Sequence, residues 1–250
     1  ALPISGYNHN FIVDWGDGTN SVITSFNDAD KTHTYTEAGT YQITMNGTCQ
    51  SFVFNDAGDK LKITELVAFS GDMGFVVLNF WGCSNLSTIV PLGTMASLTT
   101  AYCMFAGCSS IISVPNGLFD GLYYGITDFS YVFYRCSGLT GIGGNDGGAN
   151  LFRYNTSITK LCAAFAYCTS LTYFDDIFHY NEYVDDMSYC FSFCSALTSV
   201  PATCFNSMYR VTTFYGIFNA CINLASVPDY LFRYNVHATN FNFALSDCFK

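Results

Sequence analysis

The chain has little positive charge. Its 250 residues include only 9 Lys and Arg against 19 Asp and Glu, which gives a formal net charge of −10. Nucleic-acid binding depends on clustered cations that neutralise phosphates, so this composition argues against a nucleic-acid partner. The same shortage argues against electrostatic docking to anionic membranes.

Long apolar runs are also absent, although half of the residues are hydrophobic. No run approaches the roughly 18 to 20 residues that span a bilayer, so we expect no membrane insertion. The first residues, ALPISGYNHN, lack an initiator Met and the basic and apolar stretches of a signal peptide. We therefore expect a processed product or a segment of a longer protein.

Reaction centres are missing from the sequence as well. The four His residues stand outside metal and nucleophile motifs, and the stretch GIGGNDGG lacks the Lys of a phosphate-binding loop. Acid pairs that hydrolyse sugars are not ruled out by a sequence, but no distinctive pair stands out. We expect no enzyme, no catalytic residues, no cofactor and no metal site.

The chain does contain one sequence motif that occurs seven times. It reads FWGCSNL, FAGCSSI, FYRCSGL, FAYCTSL, FSFCSAL and FNACINL, with a reduced last copy, LSDCF. The cysteines follow one another at intervals of 25 to 32 residues, and they are Cys83, Cys108, Cys136, Cys168, Cys194, Cys221 and Cys248. A period near 27 residues is typical of stacked repeats such as leucine-rich repeats. The longest interval holds a Gly-rich stretch at 143–150, which we interpret as a surface insertion.

Each period has two apolar patterns. Before the cysteine, apolar residues fall at i, i+4 and i+7, as in Phe129, Phe133 and Cys136, which predicts a helix of about two turns. After it, LTGI, LTYF, LTSV and LASV are short and strand-like. We therefore predict an α/β leucine-rich-repeat solenoid of strand, turn and short helix at residues 70–250, with the repeated Phe and Cys side chains stacked inside.

The twelve cysteines allow three interpretations. Buried free thiols suit an interior column, because Cys is small and among the most buried residue types. Disulfides between adjacent repeats would need a demanding geometry, and seven cysteines cannot pair evenly. Zinc sites are disfavoured by unequal spacings and the lack of companion histidines.

The repeated residues resemble a known family. FYRCSGLTGI and LFRYNTSITKLCAAFAYCTSLTYF are similar to the Cys-x-x-Leu type of BspA-like leucine-rich repeats, found in bacterial surface proteins and phage proteins. The resemblance covers about seven copies, roughly residues 70 to 250. It implies adhesion or recognition, and an extracellular, cell-surface or virion location.

Residues 1–69 lack the repeat and alternate apolar with polar residues. FIVDW, SVITSF and TYQITM predict antiparallel strands joined by turns at GDG and EAG. The motif W-G-D-G, followed by His33, Tyr35, Gly39 and Tyr41, resembles a PKD-type immunoglobulin-like module. We expect residues 50–69 to cap the repeats. Asp14, Asp17, Asp28 and Asp30 could bind calcium, but we favour a turn-shaping role for Asp17.

Candidate ligand-binding residues lie on the predicted strand face, which is hydroxyl-rich and uncharged. They are Thr140, Thr172, Tyr173, Thr198 and Ser199. Such a face suits hydrogen bonding to a glycan or protein, although small hydroxyl residues also simply fit a crowded strand array. Tyr154, Tyr180 and Tyr234 form either an exposed aromatic row or packing between repeats.

Two functions fit these features. The first is a non-enzymatic adhesion or recognition protein whose partner is a host or cell-surface glycan or protein. The second is a structural subunit of a fibre, tail or capsid that packs against neighbouring subunits.

Overall fold

A computed structural model describes residues 1–69, 71–122, 125–143 and 151–248. Its strands are β1 (His9–Asp14), β2 (Asn20–Ile23), β3 (Thr44–Cys49), β4 (Ser51–Val53), β5 (Val77–Asn79), β6 (Gly141–Ile142) and β7 (Tyr173–Phe174). The insertion predicted at 143–150 lies, apart from Gly143, outside the described residues.

The first three strands form an antiparallel sheet with the order β2–β1–β3. Strand β1 alternates buried and exposed residues, with Phe11 and Val13 facing the core. That alternation follows from the two-residue period of a strand. The three strands lie in or beside the stretches where alternation predicted them.

The segment after β3 pairs directly with the first repeat. Strand β4 runs parallel to β5, and the Phe54 amide donates to the Asn79 carbonyl at 3.0 Å. Further along, the Leu66 amide donates to the Thr88 carbonyl at 2.8 Å. Hydrogen bonds thus cross the boundary predicted between residues 1–69 and 70–250, and that division stays a prediction.

The predicted α/β leucine-rich-repeat solenoid is wrong. The described residues contain no α-helix, and the only helical elements are two 3₁₀-helices of three residues each, Ala29–Lys31 and Lys60–Lys62, both before the repeats. Strands of the repeats are also very short, since β6 and β7 have two residues each. None of the described helices is long and apolar enough to cross a membrane.

A series of tight turns occupies the stretches predicted as helices. In the third copy, Val132, Tyr134 and Cys136 donate their amides to the carbonyls three residues back, at 3.1 to 3.2 Å. Tyr131 and Arg135 both have a φ of 59°, which no right-handed helix accommodates. The i, i+4, i+7 pattern marks the inward residues of this turn series instead.

Hydrogen bonds between adjacent copies explain why turns replace helices. The amides of Phe129, Tyr131, Phe133 and Arg135 donate to carbonyls of the next copy, on Lys160, Cys162, Ala164 and Ala166, at 2.8 to 3.0 Å. These amides would otherwise bond within a helix. A helix of two turns is unstable alone, so bonds to the neighbouring copy decide the backbone.

A polar side chain eight residues before the cysteine begins most of these turns. Asp128 Oδ1 accepts from the Ser130 amide at 2.8 Å, and Asp186 Oδ1 accepts from the Ser188 amide at the same distance. Such a local side-chain bond competes with helix formation.

Two columns of phenylalanine fill the interior of the repeats. In the first, ring centroids of successive copies lie 5.4 to 5.7 Å apart, through Phe80, Phe105, Phe133, Phe165, Phe191 and Phe218. In the second they lie 5.6 to 6.4 Å apart, through Phe119, Phe152, Phe178, Phe205 and Phe232. These near-parallel rings account for 11 of the 24 phenylalanines.

The repeated cysteines form a third interior column. All twelve cysteines are free thiols. The Cys168 thiol donates to the Phe133 carbonyl of the preceding copy at 3.2 Å, and Cys194 donates in the same way to Phe165. Burial raises the pKa of both thiols well above the usual range. Cysteine fits here because it is small and apolar and still supplies a donor.

The asparagines of the F-x-Y-N motifs form further hydrogen bonds in the interior. Asn181 Nδ2 donates to the Phe152 and Asn155 carbonyls of the preceding copy, at 3.2 and 3.1 Å. Asn235 does the same toward Phe205 and Met208. These amides join adjacent copies where the chain has no strand.

Candidate functional site

The predicted threonines form one aligned column. Thr140, Thr172 and Thr198 are all exposed at equivalent places in successive copies. Each hydroxyl donates to a carbonyl of the copy before it: Thr140 to Ile112 at 3.0 Å, Thr172 to Thr140 at 2.9 Å, and Thr198 to Thr172 at 3.5 Å. Their single donor is therefore used within the protein, and only the oxygen lone pairs face a ligand.

Tyr173 and Ser199 follow directly in the chain and are also exposed. The Tyr173 ring lies over Gly141 of the preceding copy, where a Cβ would come within 2.5 Å of the ring. The structure brings the predicted residues onto one surface, but Tyr173 is its only aromatic ring.

A second surface lies on the turns that replaced the predicted helices, and the sequence pattern did not reveal it. We call it the aromatic ribbon, and it consists of Tyr102, Tyr131, Tyr134, Tyr167, Phe193, Tyr189, Tyr215 and Phe243. Along its first part, ring centroids lie 5.6, 5.4, 5.5 and 4.4 Å apart, from Tyr102 to Phe193. Its second part joins Tyr189, Tyr215 and Phe243 at 5.0 and 5.5 Å.

Several ribbon residues have a left-handed backbone. Tyr131, Tyr167, Tyr189, Phe193 and Phe243 have φ between 58° and 63°. This region is unfavourable for a residue with a side chain, and glycine is its usual occupant. Other copies do place glycine there: Gly107 stands where Tyr167 and Phe193 stand, one residue before the cysteine. The aromatic residues thus occupy places where the backbone alone would favour glycine.

The two parts of the ribbon meet at Cys162, which lies close to both Tyr131 and Tyr189. Burial raises the pKa of the Tyr131 hydroxyl to about 12, with the neighbouring Cys162 adding to the shift. Burial, together with the Asp186 carboxylate, raises the pKa of Cys162 to about 11. At neutral pH this thiol is protonated and unreactive. The ribbon therefore offers rings, hydroxyls and a neutral thiol, and no nucleophile.

One cation lies against the ribbon. The Arg135 guanidinium carbon is 5.2 Å from the Tyr134 ring centroid and 5.5 Å from that of Tyr167. A planar guanidinium at this distance is attracted to the faces of aromatic rings.

Asp17 shapes a turn in the N-terminal segment, which is the role that we favoured for it from the sequence. Asp17 Oδ1 accepts from the Thr19 amide at 3.0 Å, and Asp17 Oδ2 lies 2.7 Å from His33 Nε2. The His33 ring stacks on Trp15 at 4.8 Å. Within the described ranges, no group of three or more His, Cys, Asp or Glu side chains could hold a metal ion.

Comparison with known proteins does not assign a function to this surface. No protein-family model matches the chain, and no curated protein shows significant similarity to it. The resemblance to BspA-like repeats therefore stays a prediction.

Proposed function

We propose that the chain is a non-enzymatic recognition protein of a cell surface or phage particle, which binds a glycan or protein through the aromatic ribbon. The observation that carries this proposal is the placement of Tyr131, Tyr167 and Phe193 in the left-handed region. Residues held in an unfavourable backbone conformation tend to cluster at binding sites. Other copies have glycine, alanine or a charged residue at the equivalent places, so the turn itself does not require a ring there.

The chemistry of the surface supports recognition rather than catalysis. Tyrosine, serine, glycine and asparagine dominate antibody binding loops, because tyrosine supplies large contact area at low entropic cost and the small polar residues supply hydrogen bonds. The chain has 18 Tyr and 21 Gly and few charges. The Thr140, Thr172 and Thr198 column offers further acceptor oxygens on its own exposed surface.

Binding assays with ribbon variants test the proposal. We expect the fluorescently labelled protein to bind sugars on a host-glycan microarray or intact bacterial cells in flow cytometry. The triple variant Tyr131→Ala/Tyr167→Ala/Phe193→Ala should bind at least about tenfold more weakly, since truncating central aromatic residues costs about 2 kcal/mol or more. Tyr7→Ala, which removes an exposed ring in the N-terminal segment, is the control. Equal binding by the triple variant and the control would contradict the proposal.

One observation favours the alternative, a structural subunit of a fibre, tail or capsid. Large apolar side chains of the last described copy are strongly exposed, with Tyr230 at 77%, Val236 at 79% and Phe243 at 59%. Size-exclusion chromatography with light scattering separates the two functions. Concentration-dependent multimers support the subunit, and a stable monomer supports recognition.

A further inference from the structure

Most of the few cationic residues of the repeats lie on a third surface, separate from the threonine column and the aromatic ribbon. Of the five described Lys and Arg residues after residue 70, Arg153 and Arg233 lie within F-x-Y-N motifs, and Arg210 follows the equivalent stretch FNSMY. Arg153 and Arg233 each precede a tyrosine, and Arg210 follows one. We call this surface the arginine ridge, and it consists of Arg153, His179, Arg210, Arg233, His237, Tyr154, Tyr180, Tyr183, Tyr209 and Tyr234, all exposed.

Among the described residues, two of these arginines have no carboxylate partner. Arg153 pairs with Asp120 at 2.5 Å, and His179 lies 3.5 Å from Asp176. By contrast, no ion pair within 4.0 Å joins Arg210 or Arg233 to a carboxylate in the described ranges.

Both guanidinium groups are oriented by tyrosine rings. The Arg210 guanidinium carbon is 5.5 Å from the centroid of Tyr183, and that of Arg233 is 4.5 Å from the centroid of Tyr234. Stacking on a ring limits the motion of the guanidinium and leaves its N–H groups available at the edges. Each pair therefore combines an anion-binding fork with an aromatic platform.

The two pairs lie in neighbouring copies. Asn235 Nδ2 donates to the Met208 carbonyl at 2.8 Å, which holds these copies together. Arg210 is two residues after Met208, and Arg233 is two residues before Asn235. Their Cα atoms are therefore within about 25 Å of each other, given the reach of four residues and of the hydrogen-bonded Asn235 side chain. One extended ligand can contact both.

We propose that Arg210 and Arg233, with Tyr183 and Tyr234, form a second binding site, which takes the carboxylate groups of an acidic polysaccharide. The guanidinium fork matches a carboxylate with two parallel hydrogen bonds. The tyrosine rings offer apolar contact area to sugar rings between the charges.

The small number of cations on the arginine ridge argues against more highly charged ligands. A sulfated polysaccharide or a nucleic acid needs many cations to offset its charge, whereas this surface has two free guanidinium groups and an exposed Glu182 nearby. A polymer with one carboxylate per sugar matches two separated cations. This site is distinct from the aromatic ribbon, so it stands or falls separately from the proposed function.

Biolayer interferometry with biotinylated polygalacturonate at low salt tests the site. We expect the wild-type chain to bind polygalacturonate and not neutral dextran. Arg210→Gln and Arg233→Gln should each weaken binding at least fivefold. Lys160→Gln, which removes the same charge from an exposed residue off the ridge, should stay within twofold of wild type. The ribbon triple variant should bind polygalacturonate like wild type, which separates the two sites.

Three results would overturn the proposal. They are no binding to polygalacturonate, an equal loss with Lys160→Gln, and binding to dextran sulfate alone. A salt titration of the wild-type chain gives a measure that does not depend on any variant. Because exposed charges are screened by ions, binding should weaken by roughly an order of magnitude between 50 and 500 mM NaCl, and salt-independent binding would count against the site.

Discussion

The N-terminal sheet and the repeats hold their cores together in different ways. In β1, Phe11 and Val13 pack under a sheet whose β1–β2 turn is short in sequence. In the repeats, Phe133 meets Phe165, its equivalent in the next copy, at 5.7 Å. The sheet thus includes a local hairpin, whereas each copy of the repeat depends on its two neighbours.

A second contrast exists within a single turn. Phe165 is fully buried in the first phenylalanine column, while Tyr167, two residues later, lies on the aromatic ribbon. The turn separates residues that stabilise the stack from residues that face solvent. Stability and binding should therefore respond to different substitutions.

The largest effect is expected in the phenylalanine column. Phe165→Ala removes a ring stacked between Phe133 and Phe191, and should lower the free energy of unfolding by about 3 to 5 kcal/mol. Urea denaturation followed by circular dichroism measures this change. Phe193→Ala, in the partly exposed ribbon, is the matched control and should cost less than about 1 kcal/mol. Similar losses in both variants would remove the distinction between column and ribbon.

An intermediate effect is expected in the cysteine column. Cys168→Ala removes the thiol donor from the buried Phe133 carbonyl, which keeps its hydrogen bond from the Cys136 amide, and should cost about 0.5 to 1.5 kcal/mol. Cys162→Ala, at the partly exposed ribbon cysteine, should cost less. Thermal unfolding of both variants checks the difference.

Thiol titration tests the same column without a substitution. In denaturant, all twelve thiols should react with a disulfide reagent, whereas in the native protein the buried ones should react slowly because burial keeps them protonated. Fewer than twelve reactive thiols in denaturant would indicate disulfides and contradict the column.

The smallest effect is expected in the N-terminal turn and depends on pH. Hydrogen bonds from Thr19 and His33 lower the pKa of Asp17 from 3.8 to about 2. Because the folded-state pKa is the lower one, the stabilising effect is present above about pH 4 and is lost as the pH falls toward 2. NMR titration of the Asp17 carboxyl carbon checks the value. Thr19→Val should raise the midpoint, and an unchanged midpoint would assign the shift to another cause.

Sequence patterns revealed part of this architecture. The inward position predicted for the repeated phenylalanines and cysteines is confirmed, since Phe133, Phe165 and Cys168 are fully buried. The predicted helices were wrong because an i, i+4, i+7 pattern also fits a turn series. Gly82 and Gly107, just before two of the cysteines, were the available signal against a helix.

The candidate surfaces were harder to predict. Thr140, Thr172 and Thr198 could be aligned because the copies align. The hydrogen bonds from their hydroxyls to carbonyls of the preceding copy could not be predicted from the sequence. The ribbon was missed because Tyr134 and Tyr167 occupy different places in their copies and become neighbours only through the stack.

Chemical identity and period are local properties, so the amino-acid order was enough to establish the spacing of the copies and which side chains avoid water. The backbone path between those side chains was determined by hydrogen bonds between residues about 27 apart in the sequence. A single copy cannot form these hydrogen bonds by itself. Those long-range bonds replaced helices with turns, and the turns brought the exposed tyrosines together.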